Sequence, residues 1–123
     1  MASAVLDDAV DRLRAAGALF AYLHGSQAAG TATAGSDVDL AAVFPDPAPA
    51  SFEVDLPTGV DLLVLNDAPL EIAGRIALDG ILVLAEDEVA RVRWEARTRR
   101  IYSDEKYRID RSHREFLEAV RRG

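Results

Sequence analysis

Four short apolar runs, Leu19–Leu23, Val38–Phe44, Val60–Leu65 and Ile81–Ala85, set the terms on which this chain can fold. None approaches the roughly 18 apolar residues of a membrane span. Each is bounded by turn formers, such as His24-Gly25, Pro45 and Gly80, so each reads as a buried strand rather than a helix. The segments between them carry a different period. Leu6, Val10 and Leu13 fall at helical spacing over 4–16, with Ser3 to cap the start and Gly17 to stop it. Asp67 and Pro69 begin a second helix over about 69–78, which ends near Gly80. Pro45, Pro47, Pro49 and Pro57 make 45–59 a connection, with at most a short edge strand around Phe52–Leu56. Residues 87–122 are helical in pattern, with a break expected at Tyr102-Ser103-Asp104. Beyond that break, Ile109, His113, Phe116, Leu117 and Val120 line up on a single apolar face. The alternation predicts an α/β fold in which helices pack against a small mixed sheet, and 123 residues suffice for one domain, 1–123.

Charge narrows the function classes. The formal net charge of −7 counts against direct nucleic-acid binding through phosphate neutralisation. Its distribution is uneven: residues 1–89 hold 15 acidic and 3 basic side chains, residues 90–123 hold 11 basic and 6 acidic. A basic helical third is either a salt-bridged, solvated surface or a face for a triphosphate or an acidic partner. Acidic residues stand where a signal peptide would be basic and then apolar, and no cysteine is present, so the expected compartment is the cytoplasm, without a membrane role.

Three aspartates break the apolar strands. An aspartate in such a setting is unfavourable unless it is paired, hydrogen-bonded or bound to a cation. Asp37 and Asp39 are two apart at the mouth of one strand, so extended backbone points both to the same face. Asp61 is the second residue of another strand. Converging carboxylates repel one another without a divalent cation, and hard oxygen ligands with room for water suit Mg²⁺.

Gly25-Ser26, at the end of the first strand, complements that set. Glycine lets backbone approach a phosphate closely, while free N–H groups and the serine hydroxyl donate to it. Ser36, beside Asp37, either donates to phosphate or caps its own loop. A metal cluster beside a phosphate-gripping turn is the equipment of two-metal phosphoryl transfer.

Gly25-Ser26, ten residues, then Asp37-Val38-Asp39 matches the signature of the polymerase-beta-like nucleotidyltransferases. The stretches Leu23-His-Gly-Ser-Gln-Ala-Ala-Gly and Gly35-Ser-Asp-Val-Asp-Leu resemble its minimal branch, most closely the MntA-like antitoxins encoded beside HEPN-domain RNase toxins. Asp61 in Val-Asp-Leu-Leu-Val-Leu fits the family's third carboxylate. The resemblance implies a palm-like nucleotidyltransferase fold and two Mg²⁺ ions held by Asp37, Asp39 and Asp61. It also implies nucleotide binding through Gly25, Ser26 and Ser36, and transfer of AMP from ATP to a tyrosine of the toxin. Members often carry arginine where this chain has Ala29; a basic residue from the C-terminal third is one replacement.

Two other functions compete: an antitoxin that neutralises its partner by contact alone, and a small-molecule nucleotidyltransferase of the antibiotic-modifying type. The latter usually carries an extra helical domain. His24 adjoins the turn and is either a nucleotide contact or a hydrogen-bonded core residue. His113, Trp94 and Tyr102 read as packing residues, the aromatics because of the apolar area they bury.

Overall fold

The computed structural model of the chain describes residues 2–25 and 38–122. Four strands, β1 (Phe20–His24), β2 (Val38–Val43), β3 (Val60–Val64) and β4 (Ile81–Ala85), form one sheet in the order β3-β2-β1-β4. β1 is antiparallel to both β2 and β4, whereas β2 and β3 are parallel. The sheet is therefore mixed, as the alternation of strands and helices predicts. Among the described residues three helices accompany it: α1 (Ala2–Ala15), α2 (Leu70–Asp79) and α3 (Glu88–Arg122). Among the described residues no helix is long and apolar enough to cross a membrane.

Alternation along the strands sorts side chains onto two faces. One face, with Ala21, Leu40 and Ala42, packs under Ala9 and Leu13 of α1. Helix α1 stops where the sequence places its stop: Gly17 adopts φ +92°, its N–H donates to the Arg14 carbonyl at 3.1 Å, and the Ala18 N–H donates to that of Leu13 at 3.0 Å. These are the two bonds of a Schellman cap. The other face, with Phe20, Tyr22, Ala41 and Leu63, is covered by Ala73 and Ile76 of α2 and by Trp94 of α3.

Asn66 closes the far end of the parallel pair. Its side-chain oxygen accepts from the Phe44 N–H at 3.0 Å and its Nδ2 donates to the Phe44 carbonyl at 2.7 Å, extending the ladder by one amide.

Two expectations are corrected. The edge strand around Phe52–Leu56 is absent; Ser51–Glu53 instead forms one 3₁₀ turn. The Glu53 carboxylate accepts the Ala50 N–H at 2.8 Å, and Val54 turns inward to the core. The local cap replaces strand pairing. The break at Tyr102-Ser103-Asp104 is also absent, because α3 runs unbroken from Glu88 to Arg122. Tyr102 is buried against Gly74 of α2, where a Cβ would run into the tyrosine ring. Arg99 donates to the Ala77 carbonyl at 2.6 Å one turn earlier. The helix is thus fastened to α2 at the point where local sequence suggests weakness.

The apolar face expected over residues 109–120 is left uncovered by the other described residues. Ile109, Phe116, Leu117 and Val120 are all exposed, as is His113, which corrects its reading as a packing residue.

Candidate active site

The two described members of the aspartate set meet through strand register. Asp39 is the direct partner of Asp61 across the parallel β2–β3 pair, and His24 is the partner of Asp39 across β1–β2. Neighbouring strands lie about 4.8 Å apart, so the two carboxylates rise side by side. Parity places His24, Asp39 and Asp61 on the face of Tyr22, Ala41 and Leu63, at the sheet end where β1 finishes and β2 and β3 begin. Asp39 is half-buried and Asp61 exposed, so the row opens to solvent on the β3 side.

Gly25 is required here for two reasons. Its φ is +74°, and a Cβ at this position would collide with the Asp39 carboxylate. The turn therefore brings bare backbone directly against a candidate metal ligand, a closeness that any side chain would prevent.

Ser26, Ser36, Asp37 and Ala29 lie outside the described residues. Among the described residues no group of three histidine, cysteine, aspartate or glutamate side chains gathers for a metal ion. The donor set nevertheless fits Mg²⁺: two in-register carboxylates at an open edge leave room for water and for phosphate oxygens.

Behind this row, one step along β1, lies a polar network in an aromatic setting. The rings of Phe20, Tyr22 and Trp94 are mutually 5.7–5.9 Å apart. Trp94 is thus a packing residue, as its sequence context suggests. The Tyr22 hydroxyl donates to Glu95 at 2.6 Å, and Glu95 also accepts from Arg91 at 2.9 Å and pairs with Arg99 at 3.5 Å. Burial, then the bond to Glu95, pushes the Tyr22 phenol well above its usual range. Burial would raise Glu95 too, but the Tyr22 hydroxyl and the two arginines outweigh it and hold the carboxyl below its usual value. The network fixes α3 over the face that bears the aspartates. Sequence reasoning missed it; the available signal is a tyrosine in a buried strand, whose hydroxyl needs a partner.

Five of the ten arginines of α3, namely Arg91, Arg99, Arg108, Arg111 and Arg122, pair with glutamates of the same helix. Arg91 pairs with Glu88 and Glu95, Arg108 with Glu105, Arg111 with Glu115. These pairs accord with the solvated, salt-bridged reading for half of the segment's arginines.

The polymerase beta nucleotidyltransferase model matches residues 14–89, more than half of the chain. The chain belongs to this family. Among proteins of curated function none matches it in sequence. Solved structures do resemble it. A chain of the MntA–HepT toxin–antitoxin complex superposes with a TM-score of 0.69 at 17% identity, covering 94% of this chain and 98% of its own. A chain of a toxin–antitoxin structure with AMP-PNP gives 0.64 at 22% identity, covering 87% and 97%. A chain from the complex of the tri-AMPylated Shewanella oneidensis HEPN toxin with its MNT antitoxin gives 0.62 at 19% identity, covering 92% and 99%. The nucleotidyltransferase fold expected from the sequence is the fold observed, and the match spans nearly the full length of these relatives. The family model ends at residue 89, so the long helix α3 lies almost wholly beyond it.

Proposed function

We propose that this protein is the cytoplasmic antitoxin of a HEPN–MNT pair and acts as a Mg²⁺-dependent adenylyltransferase that moves AMP from ATP to a tyrosine of its cognate HEPN toxin. The observation that carries the catalytic half is the in-register pair Asp39–Asp61 with the backbone of Gly25 pressed against Asp39. Asp37, Asp39 and Asp61 would hold two Mg²⁺ ions, which neutralise the triphosphate and steady the departing pyrophosphate. The turn at Gly25-Ser26, with Ser36, grips phosphate. The tyrosine oxygen forms its bond to the α-phosphorus as the bond to pyrophosphate breaks. Asp61, the exposed member of the pair, would take the phenolic proton.

Two observations support a protein acceptor. The similar structures are toxin–antitoxin assemblies, one holding an AMPylated toxin and another AMP-PNP. In addition, α3 carries Ile109, Phe116 and Val120 along one exposed side, an apolar stripe that no other described residue covers. A partner that covers this stripe would also supply the wall that orients the acceptor, and positioning is most of catalysis in phosphoryl transfer.

Contact-only neutralisation is the second reading, favoured by Ala29 in place of the usual arginine and by the same stripe. Incubation of the protein with ATP, Mg²⁺ and the HEPN partner, followed by intact-mass measurement, separates the two. AMP increments on the partner that vanish in Asp37→Ala and Asp61→Ala support transfer. A complex whose partner keeps its mass leaves contact alone.

A further inference from the structure

Arg93, Arg97 and Arg100 set one face of α3 apart from the rest of the helix. They are exposed, follow the i, i+4, i+7 spacing of a single face and have no ion-pair partner among the described residues. Every other basic residue of α3 has an acidic residue three or four positions away, whereas Arg93 and Arg97 have only each other at that spacing. Like charges so placed destabilise a helix. A row that breaks the rule kept by the rest of the helix marks a surface that something acidic covers. Exposed Val89 lies one turn before Arg93, and exposed Val92 lies beside it. The covering surface is therefore apolar as well as acidic, which a nucleic-acid backbone is not.

The chain carries such a surface itself. Helix α1 and β4 bound an open groove lined by Leu6, Val10 and Val83 together with Asp7, Asp11 and Arg14. Arg14 is already bonded to Asp11 at 2.9 Å and to Glu86 at 2.8 Å, so the groove stays net negative. Asp7 and Asp11 are about 6 Å apart along α1, the same interval as Arg93 and Arg97 along α3. Within one chain the two surfaces cannot meet, because α1 and α3 pack on opposite faces of the sheet. Both nevertheless adjoin the edge strand β4: Val83 lines the groove, and α3 begins three residues after Ala85.

We propose that this face of α3 docks on a second copy of the chain, with Arg93 and Arg97 against Asp7 and Asp11, and Val89 and Val92 against Leu6 and Val10. Two complementary patches beside the same sheet edge let one two-fold axis near β4 form both contacts at once. The pairing also covers Ile81 and Leu82, which that edge leaves exposed. The apolar stripe from Ile109 onward continues the other side of the helix, since Ile109 and Tyr102 line one pocket with Leu70 of α2. Self-association thus leaves the stripe open to a different protein, and it does not depend on the adenylyltransferase reading.

Analytical ultracentrifugation of two charge-reversed proteins tests the contact. One carries Arg93→Glu with Arg97→Glu, the other Asp7→Lys with Asp11→Lys; all four side chains are exposed, so melting temperatures should stay near wild type. Wild-type protein should sediment as a dimer, and each variant should raise the dissociation constant at least about tenfold. An equimolar mixture of the two variants should dimerise again, because the swapped charges face one another in the mixed pair. A monomeric wild type, a variant that still dimerises, or a mixture that stays monomeric overturns the contact. Titrations with a uridine oligonucleotide and with the HEPN partner read the competing occupants. If the wild type is monomeric and the arginine variant loses one of these ligands, the row belongs to RNA or to the toxin instead.

Discussion

Asp39 and Asp61 are register partners on adjacent parallel strands, so two carboxylates far apart in the chain stand side by side on one face of the sheet. That arrangement is unfavourable without a cation and favourable with one. ATP and Mg²⁺ at a hundred times the dissociation constant should stabilise the protein by about 2.7 kcal/mol. Asp39→Asn should lose the metal-dependent share of that gain without lowering the melting temperature of the metal-free protein. An undiminished ATP/Mg²⁺ shift in Asp39→Asn would take this carboxylate out of the site.

Gly25→Ala tests the close approach to Asp39. A left-handed backbone at a non-glycine residue costs about 1–3 kcal/mol, and the added methyl must also displace the carboxylate. Lower thermal stability together with lost Mg²⁺-dependent ATP binding is expected. Normal ATP affinity in this variant would mean that the Asp39 carboxylate can leave its place without consequence.

The Tyr22–Glu95 bond sets the pH limits of the fold. Glu95 has a folded pKa below its unfolded value, so its contribution is full above the unfolded carboxylate range and declines as pH falls through the folded value. Tyr22 has a folded pKa above its unfolded value, so its contribution is full below about pH 10 and falls beyond it, as the unfolded phenol ionises. Tyr22→Phe removes a donor from a largely buried carboxylate and should cost about 1–3 kcal/mol near neutrality. Denaturant midpoints from pH 3 to 11 check both limbs; in Glu95→Gln the acid decline should be shallower.

The exposed stripe of α3 separates folding from binding. Phe116 is 65% exposed, so Phe116→Asp should leave the stability of the isolated protein within about 0.5 kcal/mol. Together with Ile109→Asp it should weaken the complex with the HEPN partner at least tenfold, while ATP titration is unchanged. A complex of undiminished affinity would place the docking surface elsewhere.

Putting arginine at Ala29 should tighten ATP. Arg91 and Arg99 are committed to Glu95, so a cation from residues 91–100 that already served this place would have to be Arg93, Arg97 or Arg100. A charge-assisted phosphate contact contributes about 1.5–3 kcal/mol, roughly tenfold or more in affinity. An Ala29→Arg protein that binds ATP no better than wild type would mean that no such subsite stands empty.

The sequence by itself determined the elements and the donor set. Apolar runs bounded by glycine and proline located all four strands, and Gly17 marked the end of α1, because burial and backbone freedom are local properties. Asp39, Asp61 and Gly25 stood out because a charge in a strand, or a glycine at its end, is locally anomalous. What the tertiary structure decided is adjacency. The order β3-β2-β1-β4 sets Asp61 beside Asp39, the crossing of α2 and α3 seats Tyr102 on Gly74, and Tyr22 finds Glu95 more than seventy residues away. The crossing at Tyr102 also carries α3 through the residues where local pattern predicted a break, and a cap at Glu53 displaced the expected edge strand. Periodicity reports that a side chain is buried but not what it is buried against; only side-chain packing between distant segments selects that partner.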